Sequence, residues 1–139
     1  MDSLKGNINA PVKEIDLLVP LLPEMVRIIR LTVSGVANRM GFQIDEIEDI
    51  KVAVAEICNQ IILKTSPTTE RCLIHFEMQD KCLRVKFAFE HSKPEGFELF
   101  DEDDAMGICI VNSLVDEVEL ERQKDSSDVI TLSIFLKES

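Results

Sequence analysis

The sequence predicts an α+β fold, a two-layer sandwich with helices on one face of a mixed, mainly antiparallel sheet. Three observations predict it. Residues 23–41 and 45–64 carry apolar side chains at spacings of three and four. Residues 72–89 and 118–136 alternate apolar and polar positions with a period of two, around short polar turns. The resulting order is strand, two helices, hairpin, helix, hairpin, which groups the strands into neighbouring antiparallel pairs. At 139 residues and 45% apolar, the chain 1–139 reads as one domain with material for a full core, and 1–11 as a flexible leader.

The elements follow in order. VKEIDLLV, 12–19, suits an edge strand or a dimer contact, because Leu17 and Leu18 put apolar groups on both faces. Pro23 is placed for the first turn of a helix, with Glu24 favourable to its dipole. Met25, Ile28, Ile29, Val33, Val36 and Met40 form its apolar stripe, Gly35 marks a close packing contact, and Gly41 supplies a left-handed cap. The second helix runs from Asp45 to Lys64 and buries Ile47, Ile50, Val54, Ile57 and Ile61. Asp45 caps it and Glu48 closes a capping box. KTSPTTE is a loop. In the hairpin, Cys72, Ile74, Phe76 and Met78 share one face and Leu83, Val85, Phe87 and Phe89 the facing stripe, joined by a two-residue Asp80-Lys81 turn. Residues 90–104 are an irregular acidic loop: solvated surface, a docking surface for a basic partner, or a cation site, although the spacing matches no EF-hand. A helix from about Met106 to Leu114, the strand VELER, a turn QKDSSD and the strand VITLSIFL complete the chain.

Composition excludes several functions. Twenty-six acidic against 15 basic residues give a net charge of −11, which argues against direct nucleic-acid binding and suits basic protein surfaces. No apolar run reaches the roughly twenty residues a membrane helix needs, and the N-terminus lacks a signal-peptide core, so a cytoplasmic location is expected. Cys58, Cys72, Cys82 and Cys109 have no metal-ligand spacing, and His75 and His91 lie far apart in sequence. Reduced structural thiols and no zinc site are expected.

The second helix carries the chemistry. Asp49, Ala53, Glu56 and Gln60 follow at spacings of three and four and share a face. That face suits a ligand or catalytic wall, and equally a half-exposed helix edge; spacing alone favours the edge.

Several stretches together resemble a family. IIRLTVSGVANRMGFQIDEIEDIKVAVAEICNQI and MGICIVNSLVDEVELE resemble the matching blocks of the bacterial anti-sigma factor serine kinases, of the RsbW-like type that acts in the general stress response. These belong to the GHKL (Bergerat-fold) ATPase superfamily, whose fold agrees with the element order. The resemblance implies a homodimeric partner switch. Such a protein sequesters a sigma factor, binds a STAS-type anti-anti-sigma protein, and with ATP and Mg²⁺ phosphorylates a serine of that second partner.

Carried over residue by residue, the family's Glu-x-x-x-Asn helix motif makes Glu56 the catalytic base and puts Gln60 at the magnesium-ligating position. Gln is one methylene longer than Asn, and Asn59 points about 100° away around the helix. The adenine-reading Asp-x-Gly-x motif has no Asp here; Glu90 is the acid near its place. Of the phosphate-cradling glycine pair, only Gly107 is kept. Ala105 and Met106 carry side chains where the backbone should approach phosphate, and Asp103 and Asp104 add negative charge. The mobile lid is shortened to 98–104. These departures point to a binding module with a partly degraded ATP site. The alternative is an active serine-protein kinase using Glu56, Gln60, Glu90 and Gly107. Arg27, Arg30 and Arg39 are candidates for a docking face on the first helix, or plain solvated charges.

Overall fold

Strand β1 (Lys13–Pro20) leads into a short 3-10 turn at Pro23–Met25 and then helices α1 (Val26–Met40) and α2 (Ile44–Lys64). The hairpin β2 (Arg71–Gln79) and β3 (Cys82–Glu90) follows, then α3 (Ala105–Leu114), β4 (Glu117–Arg122) and β5 (Ser127–Phe135). This is a computed structural model, and it describes residues 13–20, 22–64, 71–90, 105–122 and 127–136. The expectations for the leader, the KTSPTTE loop and the acidic loop beyond Glu90 lie outside the described residues.

The strands form one sheet in the order β1-β2-β3-β5-β4, with β1 and β4 at its edges. Every neighbouring pair is antiparallel, so the expected mixed sheet is antiparallel throughout. The reason is topological. The helical connection from β3 carries the chain to the far edge, so β4 runs in the same direction as β3 but β5 lies between them.

Alternation along the strands separates two faces. Val19, Cys72, Ile74, Phe76, Leu83, Val85, Phe87, Phe89, Ile130, Leu132 and Ile134 are buried under the helices. They meet Ile29, Val33, Val36 and Ala37 of α1 and the whole expected stripe of α2. Burial of this apolar surface is what holds the two layers together. The opposite face of the sheet carries mostly polar and charged side chains, from Glu14 and Asp16 on β1 to Glu117 and Glu119 on β4.

Several local expectations need correction. Ile28 is exposed, because α1 turns Ile29 rather than its neighbour toward the core. Gly35 is exposed, and a Cβ there would meet nothing within 4 Å, so it marks no close contact. Gly41 does adopt the left-handed conformation, with φ 99°. The start of α2 lies one residue earlier than Asp45, and the box is made by other residues. Glu46 Oε1 accepts the Gln43 N–H at 2.9 Å, while Glu48 pairs with Lys51 at 3.0 Å. Glu46 is the third helical residue, the position from which a carboxylate reaches back to the cap. Ser127 and Asp128, expected in the last turn, already belong to β5, paired with Glu90 and Arg122.

The β2–β3 turn has two residues, with Gln79 opposite Cys82. All four cysteines are free thiols. Burial raises the pKa of Cys58 strongly and pushes Cys72 up to about 12, so both stay protonated.

Candidate functional site

On α2 the polar face is neither wholly wall nor wholly edge. Asp49 is exposed and Glu56 half-buried, whereas Ala53 and Gln60 are buried. The bland expectation of a half-exposed edge therefore holds for Asp49 and Glu56 and fails for the other two. Gln60 is 5% exposed and its Oε1 is buried with no hydrogen-bond partner. A buried carbonyl without a donor is costly, on the order of 1–3 kcal/mol, and is where a cation or a donor from a ligand would be welcome.

The remaining predicted residues are arranged less favourably. Ala105 opens α3, Met106 is 77% exposed, and Gly107 is buried in the first turn. The free N–H groups of that turn are the usual attraction for phosphate. Helix α3 packs on α2, so Gly107 shares a layer with Glu56 and Gln60. Glu90 does not join them. It ends β3 as an exposed residue, and alternation turns it to the face opposite the helices. The residue on the helix side is Phe89, 2% exposed. A group held by Gln60 must lie on the helix side, and the structure does not bring Glu90 to that side. Strict alternation in CLRVKFAFE already contained this signal.

The fit to magnesium–nucleotide is therefore split. Gln60 Oε1 suits a cation, while the end of β3 presents Phe89, and no carboxylate, on the helix side. As a set, the described residues do not fit the nucleotide.

An open cleft of about 460 Å³ is lined by Val26, Arg27, Arg30 and Leu31 of α1 with Lys51 and Asn59 of α2. Three cations thus line one cleft in a chain of net charge −11. Arg30 Nε is buried and has no hydrogen-bond partner. Ile28 and Leu31 add exposed apolar surface on the same helix. Helical spacing placed Arg27 and Arg30 together, but Lys51 and Asn59 join them only through the packing of α1 on α2.

Comparisons with known proteins agree with this architecture. The family model for the histidine kinase-like ATPase domain matches residues 19–134. The serine-protein kinase RsbW of Bacillus licheniformis is 30% identical over 138 aligned positions, covering 88% of this chain and 85% of the relative. The serine-protein kinase RsbW of Halalkalibacterium halodurans is 29% identical, covering 88% and 83%. Among solved structures, the RsbU and RsbW domains of Rv1364c from Mycobacterium tuberculosis superpose with a TM-score of 0.71 at 16% identity, over 94% of this chain and 34% of that one. That likeness concerns the fold. With the matched domain spanning most of the chain and the sheet and helices in agreement, this protein belongs to the histidine kinase-like ATPase domain family, in its RsbW-type branch.

Proposed function

We propose that this chain is an anti-sigma regulatory domain of a bacterial partner-switching module. It holds a sigma factor and, in exchange, a STAS-type anti-anti-sigma protein, through surface complementarity rather than through efficient phosphoryl transfer. The observation that carries this reading is the basic cleft between α1 and α2, with its unpartnered Arg30 Nε. An acidic chain that gathers Arg27, Arg30 and Lys51 in one concavity beside exposed Ile28 and Leu31 offers a complementary seat for an acidic, partly apolar partner segment. Arginines that become buried in an interface are common binding anchors, and truncating one costs on the order of 2 kcal/mol or more, about thirtyfold in affinity. The edge strand β1, with Ile15 and Leu18 exposed, supports homodimer formation. No helix among the described residues is long and apolar enough to cross a membrane, and the proposed site of action is the cytoplasm.

Co-purification from cells, followed by binding measurements with Arg30→Ala, tests the reading. A sigma or STAS protein is expected to bind, and Arg30→Ala to weaken it at least tenfold. If neither class of partner binds, or if Arg30→Ala binds as the parent does, the reading fails.

A second reading, an active serine-protein kinase, is favoured by one observation, the orphaned Gln60 carbonyl one turn beyond Glu56. Thermal melts with Mg²⁺ and ATP separate the two. Ligand binding stabilises by mass action, so a rise of several degrees at millimolar ATP supports the kinase. No shift leaves the binding module.

A further inference from the structure

The open face of the sheet brings together two pairs of side chains, Glu14 and Asp16 on β1 and His75 and Glu77 on β2, that lie some sixty residues apart in sequence. In the β1–β2 register, Glu14 stands opposite Glu77 and Asp16 opposite His75. His75 is held at both ring nitrogens. Its Nδ1 meets Asp16, and its Nε2 lies 3.0 Å from Glu14 Oε1 and 3.5 Å from Glu77 Oε2. Oxygens of Glu14 and Glu77 and a nitrogen of His75 lie within 4.8 Å of one another.

We infer that Glu14, His75 and Glu77 form a binding site for a divalent transition-metal cation of the Zn²⁺ type. The distances fit such an ion. Ligands about 2.0–2.1 Å from a tetrahedral zinc lie about 3.3 Å from each other, between the two separations seen at Nε2. The arrangement of the imidazole fits as well. A neutral ring carries one N–H, yet both of its nitrogens face carboxylates. One nitrogen lone pair is therefore aimed at an oxygen lone pair unless a second proton or a metal cation lies between them. With the N–H donated from Nδ1 to Asp16, Nε2 is the free ligand atom, and a carboxylate–imidazole–metal relay results.

The two half-buried partners of Glu77 leave room for the ion. Lys86 Nζ donates to Glu77 Oε2 at 2.9 Å, and Arg84 Nη1 is 3.9 Å from Oε1. A carboxylate oxygen accepts two partners, so Lys86 orients Glu77 without closing it. The three carboxylates of Glu14, Asp16 and Glu77 outnumber the two cations beside Glu77, Lys86 and Arg84, which leaves the cluster one negative charge in excess when the imidazole is neutral. Protons compete for the same nitrogen. The hydrogen bond to Asp16, opposed by partial desolvation and helped by Glu14, raises the His75 pKa.

The site is remote from the helix layer and independent of the regulatory reading. Titration of the full chain with Zn²⁺ alone, followed calorimetrically at pH 7.5 in excess Mg²⁺, tests it. One Zn²⁺ per chain is expected. His75→Gln and Glu14→Gln should each weaken binding at least tenfold, and Asp16→Asn about tenfold through loss of ring orientation. Zn²⁺ should also shift the Nε2 resonance of His75 in the ¹⁵N spectrum. Binding unchanged within twofold in His75→Gln, or no bound equivalent in the parent, overturns the proposal. Circular dichroism of each variant separates unfolding from loss of a ligand, and Glu14, exposed on an edge strand, supplies a variant with little structural risk.

Discussion

Replacing Gln60 by methionine should stabilise the protein. Gln60 sits in the middle of the helix layer with its Oε1 buried and without a donor. Methionine has nearly the same length and helix propensity, so Gln60→Met removes the unsatisfied carbonyl without opening a cavity. Leaving such a group buried costs about 1–3 kcal/mol, part of which the flexible replacement recovers as apolar burial. For a chain of 139 residues the unfolding entropy is about 0.3 kcal/mol per degree, so a gain of 1–2 kcal/mol raises Tm by about 3–7 °C. Differential scanning calorimetry in metal-free buffer measures it. A repeat in millimolar Mg²⁺ adds a second comparison, since an ion at Oε1 would raise Tm of the parent and not of Gln60→Met. A lower Tm for Gln60→Met in metal-free buffer would refute the reasoning, because it would mean that the carbonyl already has a donor.

Other expectations rest on single features of the fold. Gly41→Ala forces an L side chain into φ 99° and should cost about 1–2 kcal/mol in a urea melt; an unchanged midpoint would contradict the left-handed cap. The raised pKa of His75 makes its ion pairs a source of stability that is fully present below its ordinary value of 6.5. That contribution is lost as the pH rises through the folded-state value. The stability difference between the parent and His75→Gln should therefore shrink as the pH rises above 6.5 in metal-free buffer, and a difference that grows with pH would be the wrong sign. Thiol labelling of the native protein should modify exposed Cys109 first, with Cys58 and Cys72 reacting only on unfolding. Rapid native labelling of Cys72 would show that β2 opens locally.

Much of the site could be read along the chain, for identifiable reasons. Glu56 and Gln60 share a helix face because spacing within one helix fixes their relation. The buried position of Phe89 and the outward turn of Glu90 follow from alternation along one strand, a signal present in CLRVKFAFE. Gln60 was legible as a departure from Asn, yet its loss of every oxygen partner was not. That depends on what α1, α3 and the sheet place around it.

Local periodicity along the chain sets which residues face the core. The stripe from Ile47 to Ile61, the alternating hairpin and the left-handed Gly41 are all local consequences of backbone geometry. Tertiary structure decided the non-local relations. Strand order made the sheet wholly antiparallel, helix packing joined Lys51 and Asn59 to Arg30, and the β1–β2 register set Glu14 and Asp16 around His75 across some sixty residues of chain. A repeat of two or 3.6 residues specifies a face, but it carries no information about which distant face will lie opposite. That choice is made by the packing of the whole core.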